Sequence, residues 1–244
     1  MGDRDQELFL KRAMELSLRA AQTGRAFHTD FMTVSEQSAL RTLRLPLPCA
    51  FFGGYEGAER VIAVFGEEAD PQSYVACIGI RPKQQKFADE LTHRDFLGAL
   101  MNLGVKRETM GDILVVENAG YLFCLADMAD FILQNLDRVK RTAVNCAYAQ
   151  APAGTAEPEP VSLVVASLRA DALLSAAFHL SREQSKSAVS EGRLFINGKQ
   201  SFSASADLKE GDILSLRGVG RVAYLGPERA TRRGKLRVMA RVYG

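Results

Sequence analysis

Hydrophobic positions along this chain recur with two periods, and the switches between them mark its elements. Over residues 4–22, Leu8, Met14, Leu18 and their neighbours recur at helical spacing, and Gly24 ends the pattern. A second helix is predicted over 35–44, closed by Pro46 and Pro48. "FFGGYEGAERVIAVF" then reads as a glycine-rich turn feeding an apolar strand. "YVACIGI" (74–80) is a strand. Thr92 and Asp95 form a capping signal for a helix over 93–103, which Gly104 stops. "DILVV" (112–116) and "YLFCLA" (121–126) are strands joined by the hairpin signal "ENAG". "MADFILQNL" (128–136) is a helix and "TAVNCAYA" (142–149) a strand.

Residues 74–149 therefore run β-α-β-β-α-β, the ferredoxin-like order, which RNA-recognition motifs share. Their base-stacking strand is aromatic. "YLFCLA" offers Tyr121 and Phe123 only, and core packing explains such aromatics equally well. "QAPAGTAEPEP" (150–160) has three prolines and no large apolar residue, so it reads as a linker. As a flexible coil it spans about 18 Å root-mean-square.

Beyond it, "VSLVVAS" (161–167) is a strand and "ADALLSAAF" (170–178) an amphipathic helix. Ser181 and Gln184 form a capping box for a helix that stops at Gly192, with Ser185, Ala188 and Val189 on its packing face. In "RLFINGKQSF", Leu194 and Ile196 alternate inward with Arg193 and Phe195 outward, and "NG" marks a tight hairpin with Lys199 at its tip. A further strand follows in "LKEGDILSL". Two more, "RVAYLG" and "KLRVMARVY", flank a predicted loop, "PERATRRGK".

Charge changes the picture more than composition does. The 244 residues carry a net charge of only +2. Residues 1–160 hold 17 Lys/Arg against 22 Asp/Glu, a net of −5, whereas residues 161–244 hold 14 against 7, a net of +7. An acidic body with a basic final third points to an anionic partner for that third. Arg182 and Lys186 lie four apart on one helix face, where like charges repel unless an anion or carboxylate compensates. The loop at 227–235 adds Arg229, Arg232, Arg233 and Lys235 against Glu228. One such run is ordinarily a solvated face; two in one small domain favour nucleic acid.

Other chemistries find little support. Cys49, Cys77, Cys124 and Cys146 are scattered, so neither a zinc site nor a disulfide framework is expected. "HRD" (93–95) lacks the downstream Asn of a kinase catalytic loop, having Leu100 there. "GVGRVA" (218–223) opens no helix, and "GRLFINGK" has Gln200 where a phosphate loop needs Ser or Thr. "RAD" (169–171) reads as the start of a helix, and His28, His93 and His179 are dispersed. The expectation is a non-enzymatic protein with no metal and no cofactor. No apolar run reaches membrane-spanning length and no signal core leads the chain, so a cytoplasmic location is expected.

Residues 168–217, "LRADALLSAAFHLSREQSKSAVSEGRLFINGK" followed by "LKEGD", resemble the RNA-binding domain named after small-subunit ribosomal protein four. Ala170 stands where Leu is common and Ser185 where Ala is common. "GGYEGAERVIAVF", "THRDFLGALMNLGVKRETMGDILV" and "RGVGRVAYLG…TRRGKLRV" resemble the bacterial YlmH family, over roughly residues 30–244. The resemblance implies an α+β chain: an N-terminal mixed domain (1–72), a central ferredoxin-like domain (73–149), a linker (150–160) and the small RNA-binding domain with an extra β-hairpin (161–244). It further implies a monomeric factor that binds structured rRNA or tRNA on the large ribosomal subunit, in rescue of stalled ribosomes. An older family association is with cell division, and a scaffold docking an acidic protein is the alternative. The implied RNA-facing set is Ser181, Arg182, Lys186, Arg193, Asn197, Lys199 and Gln200, with Arg232, Arg233 and Lys235 beside them. Arg94, Lys106 and Arg107 are secondary candidates.

Overall fold

The computed structural model describes residues 3–66, 69–153, 158–230 and 235–243. The chain is α+β and divides into two compact units, Met1–Ala156 and Glu157–Gly244. The break falls inside the proline-rich stretch.

The first unit opens with helix α1 (Asp3–Thr23), ended by Gly24 at φ +66°. Strand β1 (Phe27–His28), helix α2 (Val34–Arg41) and strands β2 (Cys49–Phe52) and β3 (Ile62–Phe65) follow. Thr33 and Glu36 cap α2 reciprocally. The three strands form an antiparallel sheet, order β1-β3-β2, with β3 wholly buried at its centre. Ser17 is buried in α1, and its hydroxyl donates to the Leu47 carbonyl and accepts from the Leu47 amide. That pair ties the Pro46–Pro48 segment to the helix.

Next come β4 (Val75–Pro82), α3 (His93–Asn102), β5 (Met110–Val116), β6 (Ala119–Leu125), α4 (Ala126–Asn135), β7 (Arg138–Val139) and β8 (Thr142–Tyr148). The antiparallel sheet order is β5-β6-β4-β8-β7, so the β-α-β-β-α-β order read from the sequence is present, with the short β7 added at one edge. The β5–β6 turn uses Glu117 and Asn118, both at positive φ, as a tight hairpin demands. Alternation along the strands sends Ile78, Ile80, Leu122 and Cys124 toward α3 and α4, where Phe96, Leu100, Ala129 and Ile132 complete the core.

The opposite face meets the N-terminal sheet. Leu125 packs with Phe31, Ile62 and Val64. Polar bonds lock the junction. The Asp112 carboxylate accepts from Tyr55 Oη at 2.8 Å and from the amides of Glu59 and Arg60 at 2.6 and 3.1 Å. Arg60 in turn donates to the carbonyls of Met110, Phe31 and Arg107.

The second unit holds β9 (Val161–Val165), α5 (Ala170–Phe178), α6 (Arg182–Ser190), β10 (Leu194–Ile196), β11 (Lys199–Gln200), β12 (Ile213–Leu216), β13 (Gly220–Ala230) and β14 (Leu236–Tyr243). Its antiparallel sheet runs β11-β10-β12-β13-β14-β9, and α5 and α6 share one core with it around Leu173, Leu174, Val189, Leu194 and Tyr224. Residues 227–230, expected in a loop, belong to β13, whose pairing with β14 passes two register shifts and continues to Ala230–Leu236. Bulges let a twisted ribbon run on past irregular sequence.

Candidate nucleic-acid interface

Local signals in the second unit put its cations where they are. Ser181 caps α6: its hydroxyl accepts from the Gln184 amide at 3.1 Å, and Gln184 Oε1 accepts from the Ser181 amide at 2.8 Å. This fixes the first turn, so Arg182 and Lys186 leave the helix one above the other, both exposed. Ser185, Ala188 and Val189 are buried on the adjoining face.

Arg182 and Lys186 line a groove of about 390 Å³ together with Arg169, Asp171, Ser175 and Lys235. Lys235, from the second basic run beside β14, lines the same depression. Arg169 precedes α5, and its Nε lies 3.5 Å from Asp171 Oδ1, too far and too poorly aligned for a hydrogen bond. Asp171 is buried and offsets part of the Arg169 charge. Four cations against one carboxylate leave the groove strongly positive. Its lining, completed by Val164–Ser167 and two alanines of α5, contains no aromatic ring. Such a lining has the charge to suit phosphates and no ring for a base to stack on.

The hairpin residues divide by role. Asn197 (φ +49°) and Gly198 (φ +74°) make the β10–β11 turn. The Asn197 side chain donates to Asp212 Oδ1 at 2.8 Å and accepts from the Ile213 amide at 2.9 Å, latching the turn to β12. Gln200 Nε2 donates to the Gly192 carbonyl at 2.7 Å. Ser181, Asn197 and Gln200 thus frame the surface. Arg193 Nε lies 3.1 Å from Glu191 Oε2, so its charge is shared with its own helix end. Lys199 is exposed at the tip. Arg232 and Arg233 lie outside the described residues.

In the first unit Arg94 and Lys106 are exposed. Arg107 is half-buried and donates to the carbonyls of Met110 and Gly111 at 2.9 and 3.1 Å, and burial lowers its pKa. It is a strut within its own unit. Sequence reading missed Arg169, dismissed as the opening of a helix, although the resembling stretch includes it. It also missed the exposed Arg217, whose guanidinium stacks 4.4 Å from the Phe195 ring centre.

All four cysteines have thiol pKa values raised by burial, to about 11 for Cys77 and Cys146 and about 12 for Cys124. They are protonated at neutral pH and make poor nucleophiles. Among the described residues no cluster of three or more His, Cys, Asp or Glu could hold a metal, and no helix is long and apolar enough to cross a membrane.

A ferredoxin-like sheet followed by a helix-pair domain with a cationic, ring-free groove defines a class of protein fitted to polyanions. The comparisons name the family. Residues 75–152 match the model described as "Putative RNA-binding domain in YlmH". The chain is 32% identical to the ribosome-associated protein quality control protein P2 of Bacillus subtilis (strain 168), over 96% of this chain and 94% of that one. It is similar in fold to the solved cell division protein ylmH from Streptococcus pneumoniae, with a TM-score of 0.50 and 23% identity, covering 61% of this chain and 93% of that one. The chain belongs to the YlmH family.

Proposed function

We propose that this chain is a non-enzymatic, monomeric cytoplasmic factor that binds structured rRNA or tRNA on the large ribosomal subunit and serves ribosome-associated quality control. The observation that carries the reading is the meeting of Arg169, Arg182, Lys186 and Lys235 in one groove without aromatic lining. Cations carried on a rigid helix pair suit the phosphate spacing of a folded RNA, because the backbone that presents them need not reorganise on contact. Lys199 on the hairpin supplies a further phosphate contact. The name of the Bacillus subtilis relative supports the ribosomal setting.

Sucrose-gradient sedimentation of the full chain with purified large subunits tests this. The parent chain co-migrates with the subunit, and the Arg182→Ala/Lys186→Ala variant stays at the top of the gradient. A parent chain absent from every ribosomal fraction, but retained by an acidic protein, would establish a scaffold instead.

A further inference from the structure

The sheet of β4, β5, β6 and β8 has one face covered by α3 and α4 and one that is not. The N-terminal sheet covers half of the second face. Tyr55 sits 4.8 Å, centroid to centroid, from Phe123, and a side chain at Gly54 would collide with the same ring. Leu125 is buried beyond it. The other half is open. There Tyr121, Arg81, Asn145 and Gly79 line a groove of about 720 Å³, walled by the chain leaving β8 at Ala149–Pro152.

The open half is built around Tyr121; Tyr148 also lines the groove, but its hydroxyl donates to Asp130 of α4. Arg81 Nη2 donates to Tyr121 Oη at 3.1 Å and holds the phenol in place. On its β4 side the ring is bordered by small residues, Gly79 opposite it and Ala147 opposite Gly79 on β8, and on its β5 side by Leu114. Asn145 is exposed opposite Arg81. Among the described residues no carboxylate pairs with Arg81. A held aromatic ring with an open, small-residue side, one unneutralised cation and one amide are the groups that an unpaired nucleotide engages.

We infer that this half-face binds a single unpaired RNA nucleotide: the base stacks on Tyr121, Arg81 meets a phosphate, and the Asn145 amide reads the base edge. Phe123, the second stacking position that such sheets use, is occupied by the protein's own Tyr55. The site therefore takes one base where open sheets take two or three. The inference rests on RNA being the ligand, as proposed above, but it uses a different surface in the first unit.

The chain contains no tryptophan, so Tyr121→Trp in the full chain places a lone reporter at the site. Its fluorescence is measured against a short oligouridine and against a blunt-ended RNA duplex. Saturable quenching is expected with oligouridine and none with the duplex. The same quenching is expected when Arg182→Ala/Lys186→Ala is added. In separate titrations of chains with the natural groove, Tyr121→Leu lowers oligouridine affinity about tenfold, and Tyr121→Phe, which keeps the ring, changes it less than about twofold. Absence of quenching, or a Tyr121→Leu chain that binds oligouridine like the parent, overturns the inference. Duplex affinity, lost in Arg182→Ala/Lys186→Ala, reports on the basic groove separately, so failure of one reading is distinguishable from failure of the other.

Discussion

Ser185 is fully buried at a position where the resembling domain commonly carries alanine, and its partner explains how it is tolerated. Its hydroxyl lies 2.8 Å from that of Ser175 on α5, so each satisfies the other across the helix pair. Ser185→Ala alone costs about 1 kcal/mol in urea unfolding, because Ser175 loses its partner, whereas Ser175→Ala/Ser185→Ala recovers most of that loss. A double variant as unstable as the sum of the two singles would disprove the pairing. Asp95 gives a pH-dependent counterpart. A hydrogen bond from Lys140, then bonds from the Thr92 hydroxyl and amide, lower its pKa to about 2. A depressed folded pKa contributes stability that is present above the ordinary carboxylate range and lost as pH falls from about 4 through about 2. Asp95→Asn therefore has urea midpoints that fall less steeply than the parent's between pH 4 and pH 2. Parallel curves for the two chains would remove Asp95 from the acid transition.

At the scale of elements, what the sequence made legible was local. Capping boxes at Thr92 and Ser181, helix stops at Gly24 and Gly192, and the Asn197–Gly198 turn all encode their geometry within a few residues. Those signals placed most boundaries within two residues. What they could not carry was pairing between distant segments. β7 has two residues and too short a pattern to read, and β13 runs through "PERA" because β14 pairs with it across two bulges. The junction of the N-terminal and central sheets rests on Asp112, one carboxylate that gathers three donors from 52 to 57 residues away. Nothing near Asp112 in the sequence announces that role. Asp112→Ala removes the acceptor that two backbone amides and a phenol share, and costs about 3 kcal/mol in the unfolding of the first unit. Tyr55→Phe, which removes one of the three donors, costs about 1 kcal/mol. Equal and small effects for both, read from urea denaturation, would show that apolar packing alone joins the sheets.

Across the whole molecule, the division of charge was visible from composition, and so was the candidate surface in outline. Arg182 and Lys186 followed from helical spacing, and Lys235 from a basic run. Their meeting in one groove depends on β14 folding back beside β9, which is a fact of topology. The same folding separates exposed cations from the side chains that hold the frame, and salt dependence distinguishes the two. Each cation that neutralises a phosphate releases a counterion and adds about 0.7–0.9 to the slope of log K against log salt. Arg182→Ala/Lys186→Ala therefore flattens that slope by roughly one to two units on a folded RNA, with about the same loss for every sequence tried. Arg169 already shares its charge with Asp171, so Arg169→Gln flattens it by less than about one unit. Asn197→Ala and Gln200→Ala lower the melting temperature of the second unit, because they free Asp212 and the Gly192 carbonyl, and leave the slope unchanged. Binding measured over a salt series for these four chains checks the whole pattern at once. A slope that Arg182→Ala/Lys186→Ala leaves intact would take the groove out of the RNA interface, however cationic its lining.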